Sequence, residues 1–136
     1  MMNKMLILVA GALLLPLAYA IDYPEVREGL WSIRTQTSNN LSPKMDDGTS
    51  TVCRDHAYDK SVQALAKATM KDCTTVSESV QGGKYTSEVR CVIAGTTVDT
   101  KGTTTYQGDT SHSETHATYT PAMQGLKEMT MIMDSK

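Results

Sequence analysis

The chain has 136 residues, of which 40% are hydrophobic and 21% charged, with a formal net charge of −2 and no phenylalanine. A chain so close to neutrality lacks the basic excess typical of proteins that bind nucleic acid or anionic lipid. Its length predicts one domain, and its few large apolar residues predict one modest core that a disulfide would stabilise.

The first twenty residues have the parts of a secretory signal peptide. Lys4 gives a short positive region, residues 6–15 form an apolar run, and residues 18–20 read Ala-Tyr-Ala, a typical cleavage motif. The apolar run is shorter than the roughly 20 residues that span a bilayer, and no later segment comes close. We therefore expect an exported, soluble periplasmic domain at residues 21–136, with no membrane span.

Alternation with a period of two predicts a first strand near the only tryptophan of the chain. Trp31, Ile33 and Thr35 fall on one face of this strand, and Trp31 is expected to be a buried core anchor. Residues 39–50 are rich in Asn, Ser, Asp and Gly, with one Pro, and this composition predicts a loop.

A single helical pattern follows over about residues 59–71. Asp59 is the predicted N-cap, and the pattern ends before Cys73. Its apolar positions recur every three or four residues, as expected for one face of an amphipathic helix. They are Val62, Leu65, Ala66, Thr69 and Met70.

Past the helix the period returns to two. Glycines at 82–83, 108 and 125 predict reversals between successive strands. In the region 96–120 the register stays open, because Tyr106 and Tyr119 would face each other only if the turn were centred on residues 112–113. A strand, a helix and then about five strands predict an α+β fold that is mainly antiparallel β, with a curved meander sheet, either open or a half-barrel.

Three cysteines, Cys53, Cys73 and Cys91, are expected to meet an oxidising compartment. A three-residue turn around Gly82 places Cys73 opposite Cys91. A two-residue glycine turn buries apolar groups better but shifts Cys73 by one residue, and one β-bulge would reconcile both arrangements. We predict a Cys73–Cys91 disulfide, with Cys53–Cys73 as the alternative. The third thiol is free, pairs between chains, or has a partner beyond this sequence.

The chain also resembles a known family. The features are the segment P-x-x-R-x-G-L-W from Pro24 to Trp31, cysteines before and after the predicted helix, a cysteine on the next hairpin, and a last strand with alternating methionines. In this combination they are similar to small Gram-negative envelope proteins grouped as domain of unknown function 3617. The resemblance implies location and architecture, because that family has no established activity or ligand.

The resemblance also bears on Cys53. In that family the methionine strand usually continues to a Gly-x-Cys ending, which this chain lacks. The resemblance therefore implies that Cys53 is a half-cystine without its partner, and an interchain contact through Cys53 is one expectation.

A binding or interaction module is the function that we expect, without catalytic residues or a cofactor. The concave sheet face could pack on the helix, or hold a small apolar ligand or a segment of an envelope protein partner. The candidate ligand-face residues are Trp31, Ile33, Met129, Met131 and Met133.

Copper handling is the alternative from another class, because thioethers suit Cu(I). It would use the three methionines of the last strand together with His112 or His116. The two histidines are four residues apart, but on a strand this spacing separates them by about 13 Å, too far to share one metal.

A thiol enzyme is the more distant alternative. Cys53, Asp55 and His56 are close in sequence and superficially suggest a nucleophile with a base. Neighbours in sequence are rarely aligned for that chemistry, so we expect a structural or oxidised cysteine instead.

Overall fold

The computed structural model describes residues 23–136, so the predicted signal peptide lies outside the described residues. Within these residues, seven antiparallel strands form one open sheet, with a single helix, which confirms the predicted mainly antiparallel fold class. The elements are β1 (Gly29–Asn39), β2 (Asp46–Arg54), α1 (His56–Thr69), β3 (Cys73–Gln81), β4 (Lys84–Ile93), β5 (Thr96–Gln107), β6 (Thr110–Met123) and β7 (Leu126–Ser135).

The strand order across the sheet is β2-β1-β7-β6-β5-β4-β3. The last strand therefore returns to pair with the first, while β2 and β3 form the two edges. Because α1 connects these edges, the chain crosses one face of the sheet between β2 and β3. We call the face beneath α1 the inner face and the opposite one the outer face.

Strand β2 differs from the sequence prediction. The segment 39–50 was expected to be a loop, but β2 begins at Asp46 and pairs with β1 as far as Arg54. Backbone hydrogen bonding to β1 thus overrides the turn preference of the Asp-Asp-Gly sequence. The loop shrinks to the residues between β1 and β2, and α1 follows directly after β2.

The helix begins earlier than its apolar pattern indicates. Asp55 is the N-cap, and its carboxylate accepts a 2.6 Å hydrogen bond from the backbone N–H of Tyr58. The predicted cap, Asp59, lies instead in the first turn, where it pairs with Arg54 at 2.8 Å. The prediction was therefore wrong by about one turn at this end.

The β3–β4 hairpin contains the predicted disulfide. Cys73 lies directly opposite Cys91 and is bonded to it, while Val80 lies opposite Tyr85 next to the two-glycine turn. Both pairings coexist because Val76 is an extra residue in β3, a β-bulge. The bulge that would reconcile the two turn models is thus confirmed.

The β5–β6 hairpin turns at Gly108, so Tyr106 lies opposite Ser111 and not Tyr119. Strand β6 also continues through Pro121 as far as Met123. The Thr-rich region is therefore two long paired strands.

The buried core is small. Trp31 is 2% exposed, which confirms its predicted role as a core anchor, and its Nε1–H donates a 2.8 Å hydrogen bond to the Arg27 carbonyl oxygen. No residue of α1 is buried, although its apolar stripe is present in the sequence. The helix therefore lies over the inner face without packing closely against it. Among residues 23–136, the buried apolar residues are Val26, Trp31, Val98 and Ala117.

Candidate ligand cleft

A cleft lies between α1 and the inner face of the sheet, with the N-terminal segment 23–26 forming part of its wall. One compartment, of about 500 Å³, lies near the start of α1, and a second, of about 380 Å³, lies near its end. Tyr23, Gln63 and Tyr85 line both compartments. We call the two compartments together the helix cleft.

A carboxylate with two phenols stands where the compartments meet. The hydroxyl of Tyr23 donates a 2.6 Å hydrogen bond to Glu78 Oε1, and the hydroxyl of Tyr85 donates one of 2.7 Å to the same oxygen. The two tyrosine rings are 5.2 Å apart, with an angle of 56° between their planes. This arrangement fixes the N-terminal segment to β3 and β4.

Burial raises the phenol pKa values in the helix cleft. The pKa of Tyr23 is raised well above its ordinary value by burial first and then by its hydrogen bond to Glu78. The same two causes, in the same order, raise the pKa of Tyr85. Burial also raises the pKa of Tyr106, which lines the first compartment. The phenols are therefore neutral hydrogen-bond donors at physiological pH.

The bulge in β3 decides which side chains enter the helix cleft. Strand alternation places every second residue on the same face, so Cys73 and Glu78 would normally lie on opposite faces. The extra residue Val76 changes the parity, and Glu78 lies opposite Ser87 on the inner face. Glu78 was not predicted from the sequence, although the conflict between the two hairpin registers contained the necessary signal.

The predicted ligand-face residues share the inner face but lie outside the helix cleft. Met133 lies opposite Thr35 and Met131 opposite Thr37, so the methionine strand continues the face that carries Trp31 and Ile33. Trp31 is buried, whereas Ile33 and the three methionines are half-buried. The five candidates are Trp31, Ile33, Met129, Met131 and Met133.

The histidines of the copper hypothesis lie on the other side of the sheet. His112 lies opposite Asp134 and His116 opposite Thr130, on the outer face, whereas the methionines alternate onto the inner face. A shared site of methionines and histidines is therefore not formed. Within residues 23–136, no group of three or more His, Cys, Asp or Glu side chains is placed to hold a metal ion.

The residues of the thiol hypothesis have separate structural contacts. Cys53 is exposed on the edge strand β2, opposite Leu30. Asp55 caps α1, and His56 Nδ1 lies 3.3 Å from Glu28 Oε1. No hydrogen bond joins Cys53 to Asp55 or His56, so these neighbours in sequence do not form a nucleophile and base.

Another cleft, of about 630 Å³, lies at the end of β7 and is lined mainly by outer-face side chains. Its Arg34 donates to Asp47, and its His112 lies 2.6 Å from Asp134 and 3.0 Å from Glu114. These contacts raise the pKa of His112, with Asp134 as the larger cause. Because these cationic groups already have anionic partners, the helix cleft is the better candidate for ligand binding.

Together these features define a small antiparallel β domain with an open sheet and a helix standing over a cleft on its inner face. The model of a family described as Protein of unknown function (DUF3617) matches residues 26–136, and the chain belongs to this family. The chain has no match among curated proteins or among solved structures. Among the residues that the structure describes, no helix is long and apolar enough to cross a membrane.

Proposed function

We propose that this protein is an exported, periplasmic, non-catalytic binding module that holds a small ligand with apolar surface in the helix cleft. The observation that carries the proposal is that α1 does not pack closely against the sheet. Val62 and Met70 line the helix cleft, yet they are 46% and 36% exposed. An amphipathic helix normally buries its apolar stripe, whereas part of the apolar surface of α1 is exposed in the helix cleft and can contact a ligand.

The composition of the walls supports a ligand that is partly apolar. Near the end of α1, the helix cleft is bounded by Ala66 and Met70 on the helix and by Val89 on the sheet. Aromatic rings of Tyr23 and Tyr85 stand between the compartments. Fully burying an exposed Val or Met side chain contributes about 1.5–3 kcal/mol, so covering the remaining exposed part of each wall residue contributes a fraction of that amount.

Export rests on the N-terminal sequence and on the cysteine chemistry. The Ala-Tyr-Ala motif at 18–20 is typical of signal-peptide cleavage, and disulfides such as Cys73–Cys91 persist in oxidising compartments such as the periplasm. Native mass spectrometry of protein purified from the periplasm without reducing agent tests this part of the proposal. We expect a chain that begins near Ile21 and contains one disulfide; an uncleaved, fully reduced chain would contradict it.

Two variants on the same helix test the binding site. Val62 lines the helix cleft, whereas Leu65 is 65% exposed and does not line it. Val62→Asp and Leu65→Asp make the same chemical change at the two positions. The probe is N-phenyl-1-naphthylamine, a neutral dye that fluoresces on entering an apolar site.

We expect saturable dye binding that Val62→Asp weakens by about tenfold, because one apolar wall is lost. Leu65→Asp should bind like the parent protein, and circular dichroism verifies that both variants are folded. Equal affinity in all three proteins would place the dye elsewhere and contradict the helix cleft as the binding site.

A further inference from the structure

Glu78 is an unusual residue for its position. In strands β3 to β6 it is the one charged residue at an inner-face position, whereas the outer face of the same strands bears Arg90 with Asp99 and Lys101 with Glu88. Glu78 makes no ion pair with any described residue, and its carboxylate is held by phenols alone. A partly buried carboxylate without a cationic partner is costly to desolvate, so its position calls for an explanation.

The contacts of Glu78 leave room for one more partner. Both phenols bond to Oε1, and no described residue donates a hydrogen bond to Oε2. A carboxylate offers about four acceptor sites, so Glu78 can receive further donors without losing the two that it has. The hydroxyl ends of Tyr23 and Tyr85 lie against this carboxylate, and their two rings are 5.2 Å apart.

The chemistry of a matching ligand follows from these neighbours. An ammonium group donates charge-assisted hydrogen bonds to a carboxylate and is attracted to tyrosine rings. Next to Glu78 the same compartment presents the apolar side chains of Ala66, Met70 and Val89, which suit a hydrocarbon tail. We propose that Glu78 recognises the ammonium head of an amphipathic amine, whose apolar tail lies under the end of α1.

This inference rests on the proposed function, since it assigns a ligand class to the same cleft. Lys67 lines the same compartment but makes no ion pair with Glu78. The carboxylate of Glu78 is therefore available to a ligand. The opposite model is that Lys67 binds an anionic head group. The experiment distinguishes the two models by the sign of the charge.

Three probes with the same number of carbon atoms provide the test: octylamine, octanol and octanoate, each used to displace N-phenyl-1-naphthylamine at pH 7. We expect octylamine to displace the dye at about tenfold lower concentration than octanol, with octanoate weakest. Glu78→Gln should abolish the advantage of octylamine. The matched control is Glu88→Gln, which removes the same charge from the neighbouring strand on the outer face and should leave the advantage intact.

Each outcome decides the inference. Equal displacement by octylamine and octanol would overturn recognition by Glu78 while leaving the proposed binding function standing. Preference for octanoate would overturn it in favour of Lys67. If the dye does not bind the parent protein at all, the proposed function fails as well. If Glu78→Gln is not folded, Tyr85→Phe gives a second readout of the preference for octylamine. Glu78→Asp shortens the reach of the carboxylate, and an unchanged preference for octylamine in that variant would also contradict the model.

Discussion

The guanidinium carbon of Arg54 lies 5.3 Å from the centre of the Trp31 ring, so a cation at the end of β2 covers the most buried side chain of the described core. Arg54 also donates from Nε to Asp59 Oδ1 at 2.9 Å. One side chain thus connects the core of β1 to the first turn of α1. Because α1 buries no residue of its own, this connection helps to hold its first turn against the sheet.

Replacing Arg54 by Met should therefore destabilise the protein. The variant keeps much of the apolar stem but leaves Asp59 without its partner in a site where both side chains are about one-fifth exposed. We expect a loss of about 2 kcal/mol in the free energy of unfolding, measured with urea. The control is Arg34→Met, because Arg34 pairs with Asp47 where both side chains are about half exposed; it should cost less than about 1 kcal/mol. Equal losses would contradict the structural role of Arg54.

Trp31 should be the most sensitive core position. Trp31→Ala removes the largest buried side chain and should cost about 3–5 kcal/mol, enough to unfold a small domain. Trp31→Phe keeps part of the packing and should remain folded with a lower melting temperature. Leu30→Ala, next in sequence but 69% exposed, should change stability by less than about 0.5 kcal/mol. A Leu30 effect as large as that of Trp31→Phe would show that the register of β1 is wrong.

The disulfide should account for a large part of the stability. Cys73 and Cys91 close a loop of 18 residues in sequence separation, and a chain-entropy model assigns such a loop about 3 kcal/mol. The double variant Cys73→Ser/Cys91→Ser should lose this amount in urea unfolding. Cys53→Ser should be neutral, since Cys53 is exposed and outside the bond. A large loss in Cys53→Ser would indicate that its thiol is bonded in the native protein.

Two single-residue deletions in β3 test the bulge. Deletion of Val76 removes the extra residue and should leave both Glu78 and the disulfide in register on the inner face. Deletion of Ser79 should be absorbed by the same bulge, but it moves Glu78 to the outer face and Ser77 to the inner face. We expect both variants to form the disulfide by mass spectrometry, and only the Val76 deletion to keep the preference for octylamine over octanol. If only the Ser79 deletion kept the preference for octylamine, the assigned register would be contradicted.

Stability should depend on the charge of His112. Hydrogen bonds to Asp134, and then to Glu114, raise its folded-state pKa above the unfolded value of about 6.5. The stabilisation is therefore complete below pH 6.5 and is lost as the pH rises through the folded pKa. His112→Gln should remove this pH dependence, whereas His116→Gln, whose contact is with the Thr130 hydroxyl, should retain it. NMR titration of the imidazole measures the pKa directly, and a value below 6.5 would contradict the contacts.

Some of the molecule could be predicted from local signals alone. The alternation around Trp31, the glycine turns and the helical stripe depend on neighbouring residues, so the strands other than β2, the helix and the core anchor follow from the sequence. The Cys73–Cys91 bond was also predictable, because a two-residue glycine turn needs only one β-bulge to place the two cysteines opposite each other. Family membership rests on the order of such local motifs.

Other features were decided only by the tertiary structure. Strand β2 forms from a turn-like sequence because β1 supplies its hydrogen-bond partners. The meeting of Tyr23 with Glu78, 55 residues apart, requires the bulge, the crossing of α1 and the path of the N-terminal segment together. Sequence periodicity reports the face of a residue within one element, whereas a cleft is made by the placement of several elements. The sequence by itself therefore determined most of the strands and the core anchor, and packing between distant segments determined strand β2 and the candidate site.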